Sequence, residues 1–134
     1  MKKYEILEHK ADLKIKVFGE TKEELFKNAV FGMQECMKPE TKKLKAGKRI
    51  IKVSSPDLLA LLVDFLSEVL YLIQVNKEIY DSVKFERFSD TEIEAELSCK
   101  KAERFSLDVK AVTHHKLDIR RRKGAFEATI IFDI

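Results

Sequence analysis

Apolar and polar positions alternate with a period of two in Leu13, Ile15 and Val17, in Ile93, Ala95, Leu97 and Cys99, and in Phe126, Ala128, Ile130 and Phe132. That period marks strands with one face in a core. Val83 and Phe85, the set Leu107, Val109 and Ala111, and the pair Leu117 and Ile119 follow the same rule. Lys3–Leu7 and Arg49–Val53 read as further short strands, the second entered through a basic loop from Leu44. Between them lie two helices. Leu25, Phe26, Ala29, Val30, Met33 and Met37 form a helical stripe after Thr21 and Glu24, which have capping-box spacing. Gly19 lets the chain turn out of the preceding strand, and Pro39 stops the helix. Leu58 to about Val75 is apolar around most of its circumference, with Ser55 expected as N-cap and Pro56 at the first helical position. Its polar exceptions, Asp57, Asp64, Glu68 and Tyr71, share a narrow arc that faces either solvent or a site. Ser89-Asp90-Thr91 and Arg122-Lys123-Gly124 are hairpin turns. The order strand, helix, strand, helix, then a run of strands predicts an α+β fold. It has a mostly antiparallel sheet with two α-helices packed against it.

Length and composition narrow this picture. The 134 residues suit one domain over 1–134, and 45% apolar residues exclude disorder. Charged residues reach 37%, with Lys and Glu dominant, a balance common in hyperthermophile proteins. A net charge of +3 is too small to argue for general nucleic-acid binding. Cys36 and Cys99 lack paired spacing and no signal peptide precedes them, so a reduced, cytoplasmic protein is expected. The apolar run Leu58–Ile73 carries Asp64 and Glu68 and is short for a membrane span; it reads as a buried helix.

Three groups of residues carry candidate chemistry. His9 and Asp12 lie between two strands, and the chain stops at Asp133-Ile134. If the first and last strands are neighbours, Asp12, Asp133 and the terminal carboxylate of Ile134 supply three oxygen donors, a set that suits calcium or magnesium. The pleat puts both aspartates on the non-core side of their strands. The plainer alternative is a turn residue and an exposed carboxylate near a frayed terminus. Next comes Lys110 with His114 and His115. Adjacent strand residues point to opposite faces, so the two histidines do not converge on one ion; one packed and one exposed is the simpler expectation. Lys110 could snorkel, or its charge could meet the Asp12/Asp133 carboxylates or a phosphate. The run Arg120-Arg121-Arg122-Lys123 reads as a solvated turn, with contact to RNA phosphates as the sharper alternative. No interleaved aromatics accompany it. The chain has only four glycines and neither a phosphate loop nor a GxSxG, HExxH or zinc-type pattern.

Together these segments resemble the archease family. His9-Lys10-Ala11-Asp12 is similar to its His-Thr-Ala-Asp motif, and the run from Phe18 to Phe26 to its strand-to-helix element. Leu58–Leu72 resembles its leucine-rich helix. Lys110-Ala111-Val112-Thr113-His114-His115 resembles Lys-Ala-Val-Thr-Tyr-His, and Phe126–Thr129 with Asp133-Ile134 its closing strand. Lys10, His114, Phe65 and Phe126 depart from the usual residues, and 100–106 lacks the usual glycine-containing loop and looks shortened. Lys10 would put a positive charge beside the carboxylates and lower cation affinity.

The resemblance implies an accessory protein of tRNA splicing, not an enzyme. It would activate the GTP-dependent RNA ligase by promoting guanylylation and multiple turnover of the catalytic subunit. It also implies a divalent cation, calcium with magnesium as the alternative, on Asp12, Asp133 and Ile134. His9, Lys110, Thr113 and His115 would have supporting roles. Two rivals remain. One is a chaperone-like module that protects tRNA-modifying methyltransferases from aggregation. The other, ranked last, is a cation-dependent hydrolase using Asp12, His9 and His115.

Overall fold

The structure is a computed structural model. It describes the backbone of residues 2–8 and 12–134, and the side chains of these except 8 and 43–46. The elements run β1 (Tyr4–Glu8), β2 (Asp12–Gly19), α1 (Lys22–Cys36), β3 (Pro39–Ser54), α2 (Leu58–Asn76), β4 (Glu78–Phe88), β5 (Glu92–Phe105), β6 (Ala111–Arg122) and β7 (Ala125–Asp133). The strands form two sheets, ordered β1-β2-β7-β6 and β3-β5-β4. Every pairing is antiparallel. Each helix packs against strands of both sheets. The α+β reading holds, with the single expected sheet resolved into two.

The core is built from the residues that alternate or recur. Leu13, Ile15 and Val17 of β2 and Ala128, Ile130 and Phe132 of β7 are buried. So are Leu25, Phe26, Ala29, Val30 and Met33 of α1, with Met37 at its cap. Phe26, Phe65, Phe85 and Phe88 form an aromatic cluster that joins both helices to β4, with the Phe26 and Phe88 rings edge-on at 5.0 Å. Gly19 is needed for a close approach rather than for a turn. A Cβ there would lie 2.4 Å from the Leu25 backbone nitrogen.

Polar side chains close the ends of the elements. Thr21 caps α1 by accepting from the Glu24 N–H at 3.0 Å, with Glu23 and Glu24 complementing the helix dipole. Buried Gln34 of α1 acts as a surrogate strand neighbour for β4. Its side-chain amide donates to the Tyr80 carbonyl at 2.9 Å and accepts from the Tyr80 N–H at 2.6 Å. Because β4 is a sheet edge, those backbone groups have no ladder partner on that side.

Several expectations are corrected. The cap of α2 is Asp57, which accepts from the Ala60 N–H at 2.8 Å, not Ser55. The Ser55 hydroxyl instead donates to Asp64 at 2.6 Å, so Pro56 precedes the cap. The basic segment from Leu44 is no loop. It belongs to the long strand β3, broken by irregularities between Glu40 and Gly47. Cross-strand ion pairs such as Lys48–Glu96 at 3.5 Å and Arg104–Glu40 at 2.6 Å replace apolar alternation there. The segment 100–105 continues β5. Residues 107–110 are not a strand: Leu107 N–H donates to Met37 O, and Gln74 holds the Val109 carbonyl at 2.7 Å. The arc of Asp57, Asp64, Glu68 and Tyr71 faces solvent.

One polar cluster is buried outright. The Glu78 carboxylate is fully enclosed, accepts two hydrogen bonds from Arg49 at 2.8 Å, and accepts a third from the Tyr80 hydroxyl at 2.8 Å. Burial pushes the Glu78 carboxyl up. The hydrogen bonds from Arg49, Tyr80 and Cys99, together with the Arg49 charge, outweigh it and hold the group below its ordinary 4.5. Burial, and then Glu78, pushes the Cys99 thiol up to about 12, so it stays a thiol at neutral pH.

A carboxyl depressed in the folded state contributes stability that is complete above its ordinary value. That contribution is lost as pH falls through the folded one. Arg49→Ala leaves Glu78 enclosed without its counter-charge. We expect a loss of about 3 kcal/mol at neutral pH, the low end of the range because Arg49 is itself partly exposed. That deficit should shrink on acidification below pH 4.5, where wild type loses its Glu78 contribution. Urea melts at several pH values measure both.

Candidate metal centre

β2 begins at Asp12 and β7 ends at Asp133, and the ladder between them sets these two residues directly opposite each other. The register continues as Leu13 with Phe132 and Ile15 with Ile130. The buried alternation on both strands therefore fixes the pairing, since a one-residue slip would turn both apolar sets out of the core. Directly opposed residues in an antiparallel pair have Cβ atoms about 5 Å apart on the same face. Asp12 is half-buried and Asp133 exposed. Opposed like charges are destabilising. Among the described residues neither carboxylate has a cationic partner within 4.0 Å.

The next residue completes the arrangement. Ile134 packs its partly buried side chain against the core, which holds its backbone beside Asp133. On the other side of β7, Ala111 of β6 pairs with Asp133, and the Lys110 N–H donates to the Asp133 carbonyl at 2.8 Å. Lys110 is exposed and stands at the same strand end. Thr113 lies opposite Ile131, two residues further along β6. Its hydroxyl donates to the Ile131 carbonyl at 3.0 Å and accepts from the His115 N–H at 3.3 Å.

The histidines behave differently from the expectation. Residues 114–117 stand opposite the single Ile130, a bulge in β6 in which Lys116 has φ 52°. Both His114 and His115 are exposed on it, so neither is packed. A bulge breaks strict alternation, and the sequence carries no glycine to announce it. His9 lies outside the described residues. Among the described residues no three His, Cys, Asp or Glu side chains gather into one metal-binding group. The arrangement is a carboxylate pair beside Ile134, all oxygen in its donor chemistry, which fits a hard cation that keeps several waters. Sequence reasoning passed over Lys14 and Lys16. The alternation that buries Leu13, Ile15 and Val17 places both lysines on the open face that Asp12 shares.

A four-stranded sheet in which the second strand pairs with the last, a second three-stranded sheet and two helices between them define the archease type of α+β fold. Comparison with known proteins agrees. The profile of the Archease protein family (MTH1598/TM1083) matches residues 4–134. The chain is 37% identical over 141 residues to the protein archease of Methanosarcina mazei, covering 99% of this chain and 97% of that one. It is 31% identical over 129 residues to that of Thermococcus kodakarensis, with 90% of each covered. The solution structure of Methanobacterium thermoautotrophicum protein 1598 superposes with a TM-score of 0.76 at 28% identity, covering 100% of both chains. A Thermotoga maritima crystal structure, described as an archease and possible chaperone, shares the fold with a TM-score of 0.73 at 19% identity, covering 96% and 94% of the two chains. The chain belongs to the archease family.

The opposed carboxylates generate a stability prediction. In a chelating buffer Asp133→Asn should be neutral or raise the melting temperature slightly, because it removes a like-charge contact worth about 0.5 kcal/mol. With millimolar calcium added, the wild-type melting temperature should rise and that of Asp133→Asn should not. Scanning calorimetry of both proteins in both buffers makes the comparison.

Proposed function

We propose that this archease is an accessory protein of tRNA splicing that activates the GTP-dependent RNA ligase, promoting guanylylation and multiple turnover of its catalytic subunit. The observation that carries the reading is the register that opposes Asp12 to Asp133 beside Ile134. Asp12, Asp133 and the Ile134 carboxylate would hold a divalent cation, calcium first and magnesium second. When bound, the cation supplies positive charge to phosphate-rich, metal-dependent chemistry on the ligase. The chain's own contribution is to hold the carboxylates opposite each other at a strand end. Lys110 adds a cation beside them, and Thr113 pins the start of the β6 bulge. His9 and His115 have supporting roles at most. The protein donates no nucleophile and is not an enzyme in this reading. Its compartment is the cytoplasm.

A second reading has its own support. The Thermotoga maritima relative is described as a possible chaperone. Here Tyr71 and Val75, one turn apart on α2, are 57% and 60% exposed, an apolar strip that a client could cover. In that reading the client is a tRNA-modifying methyltransferase, and light scattering of the client is unaffected by changes at Asp12 or Asp133.

The deciding assay is ligation of cleaved tRNA with catalytic amounts of ligase. Wild type should sustain many turnovers. Asp12→Ala and Asp133→Ala should leave the ligase near a single turnover. Full stimulation by both variants would remove the carboxylates from the mechanism.

A further inference from the structure

The open face of the four-stranded sheet carries a groove of about 260 Å³ lined by Lys14, Lys16, Lys116, Arg120, Arg122 and Thr129, with Asp118 and Glu127. Five cations against two carboxylates leave a surplus of three, as large as the net charge of +3 of the whole chain. The surplus is a consequence of register. Lys14 and Lys16 on β2 stand opposite Ile131 and Thr129 of β7, while Asp118 and Arg120 on β6 stand opposite Thr129 and Glu127. Lys14 and Lys16 therefore line one side of β7 and Arg120 and Arg122 the other, staggered along it, with Asp118 across β7 from Lys16 at about 10 Å and Arg120 one repeat of about 7 Å further on. The β6 bulge restores the alternation that puts Asp118 and Arg120 on this face and adds Lys116 to it. Arg120 is paired with Asp118, and Arg122 with Glu127 at 3.8 Å. Among the described residues Lys14, Lys16 and Lys116 have no carboxylate partner within 4.0 Å.

We infer that this groove binds the phosphate backbone of a single-stranded polynucleotide, laid along β7 between the two rows. The composition of the lining separates this occupant from an acidic protein. Protein interfaces are centred on apolar or aromatic anchors and are depleted in lysine; among the described residues this groove is lined by no apolar side chain. Interfaces with nucleic acid are polar and strongly positive. Among the described residues the lining also holds no aromatic ring on which a base could stack, so recognition is of the backbone and independent of sequence. Thr129, between the rows, offers a hydroxyl to a phosphate oxygen. The inference does not depend on a cation at Asp12 and Asp133, and it stands or falls separately.

The test is fluorescence anisotropy with a labelled oligo-uridine and the matching oligo-thymidine, each about 20 nucleotides, titrated with the full chain. Contact with three phosphates predicts a log–log salt slope of about −2, hence roughly 16-fold weaker binding between about 50 and 200 mM salt. Lys14→Gln/Lys16→Gln should weaken binding at least 5-fold at low salt and flatten the slope to about −0.7. Arg120→Gln/Arg122→Gln tests the other row: both arginines are already paired with Asp118 and Glu127, so binding should weaken as the freed carboxylates repel phosphate while the slope stays at about −2. Lys52→Gln/Lys84→Gln removes the same charge from the three-stranded sheet and should bind as wild type does. Stronger binding of uridine than thymidine oligomers identifies RNA as the occupant; equal binding leaves the backbone as the whole signal. The inference is overturned by any of three results. Wild type fails to bind at low salt, both groove variants bind like wild type, or polyglutamate of equal charge competes as well as the oligonucleotide.

Discussion

The pairing of β2 with β7 is the contact on which the rest of this molecule depends. It joins the two ends of the chain across more than a hundred residues and closes β1-β2 onto β6-β7 as one sheet. Its energy comes from burial. Leu13, Ile15 and Val17 on one strand and Ala128, Ile130 and Phe132 on the other face the helices. Because the side-chain period is two, the same burial fixes what lies on the opposite face. Asp12 meets Asp133 at one end of the ladder, and Lys14 and Lys16 line the groove further along it. A core requirement thus places both the acidic and the basic chemistry.

The second sheet solves a different problem. Its outer surface is held by ion pairs between lysines of β3 and glutamates of β5. Exposed pairs of this kind contribute little individually. The enclosed Glu78 contributes to order in another way: its paired hydrogen bonds from Arg49 lock β4 against β3 across β5, and the Tyr80 hydroxyl fixes the same carboxylate. Gln34 then ties the free edge of β4 to α1. These polar contacts specify how the two sheets share the helices.

Much of this was legible in the alternation of residues. The strands β2, β5 and β7, the stripe of α1, the apolar mass of α2 and both hairpins follow from period and turn chemistry. Lys123 and Gly124 take positive φ where the turn residues were expected. What was not legible has physical causes. The Lys-rich half of β3 pairs through charge, which leaves no apolar period to read. Glu78 is silent in sequence because its burial depends on Arg49, a partner 29 residues away. The bulge at 114–117 is set by Thr113 capping its own strand, so both histidines leave the positions that alternation assigns them. Asp12 and Asp133 were legible as a pair only if the first and last strands were neighbours; the strand that pairs with β7 is instead the second, β2, with β1 outside it.

The two chemistries of the open face suit one task. A carboxylate pair at a strand end and a cationic groove on the same face would present a divalent ion and a phosphate track side by side to an RNA-processing partner. Calorimetric titration of calcium into the wild-type chain, Asp12→Ala and Asp133→Ala tests the central claim most directly. The account predicts a single site in the wild type that both substitutions abolish. Calcium heats that persist unchanged in the two variants, or a wild type that binds no calcium, would contradict it.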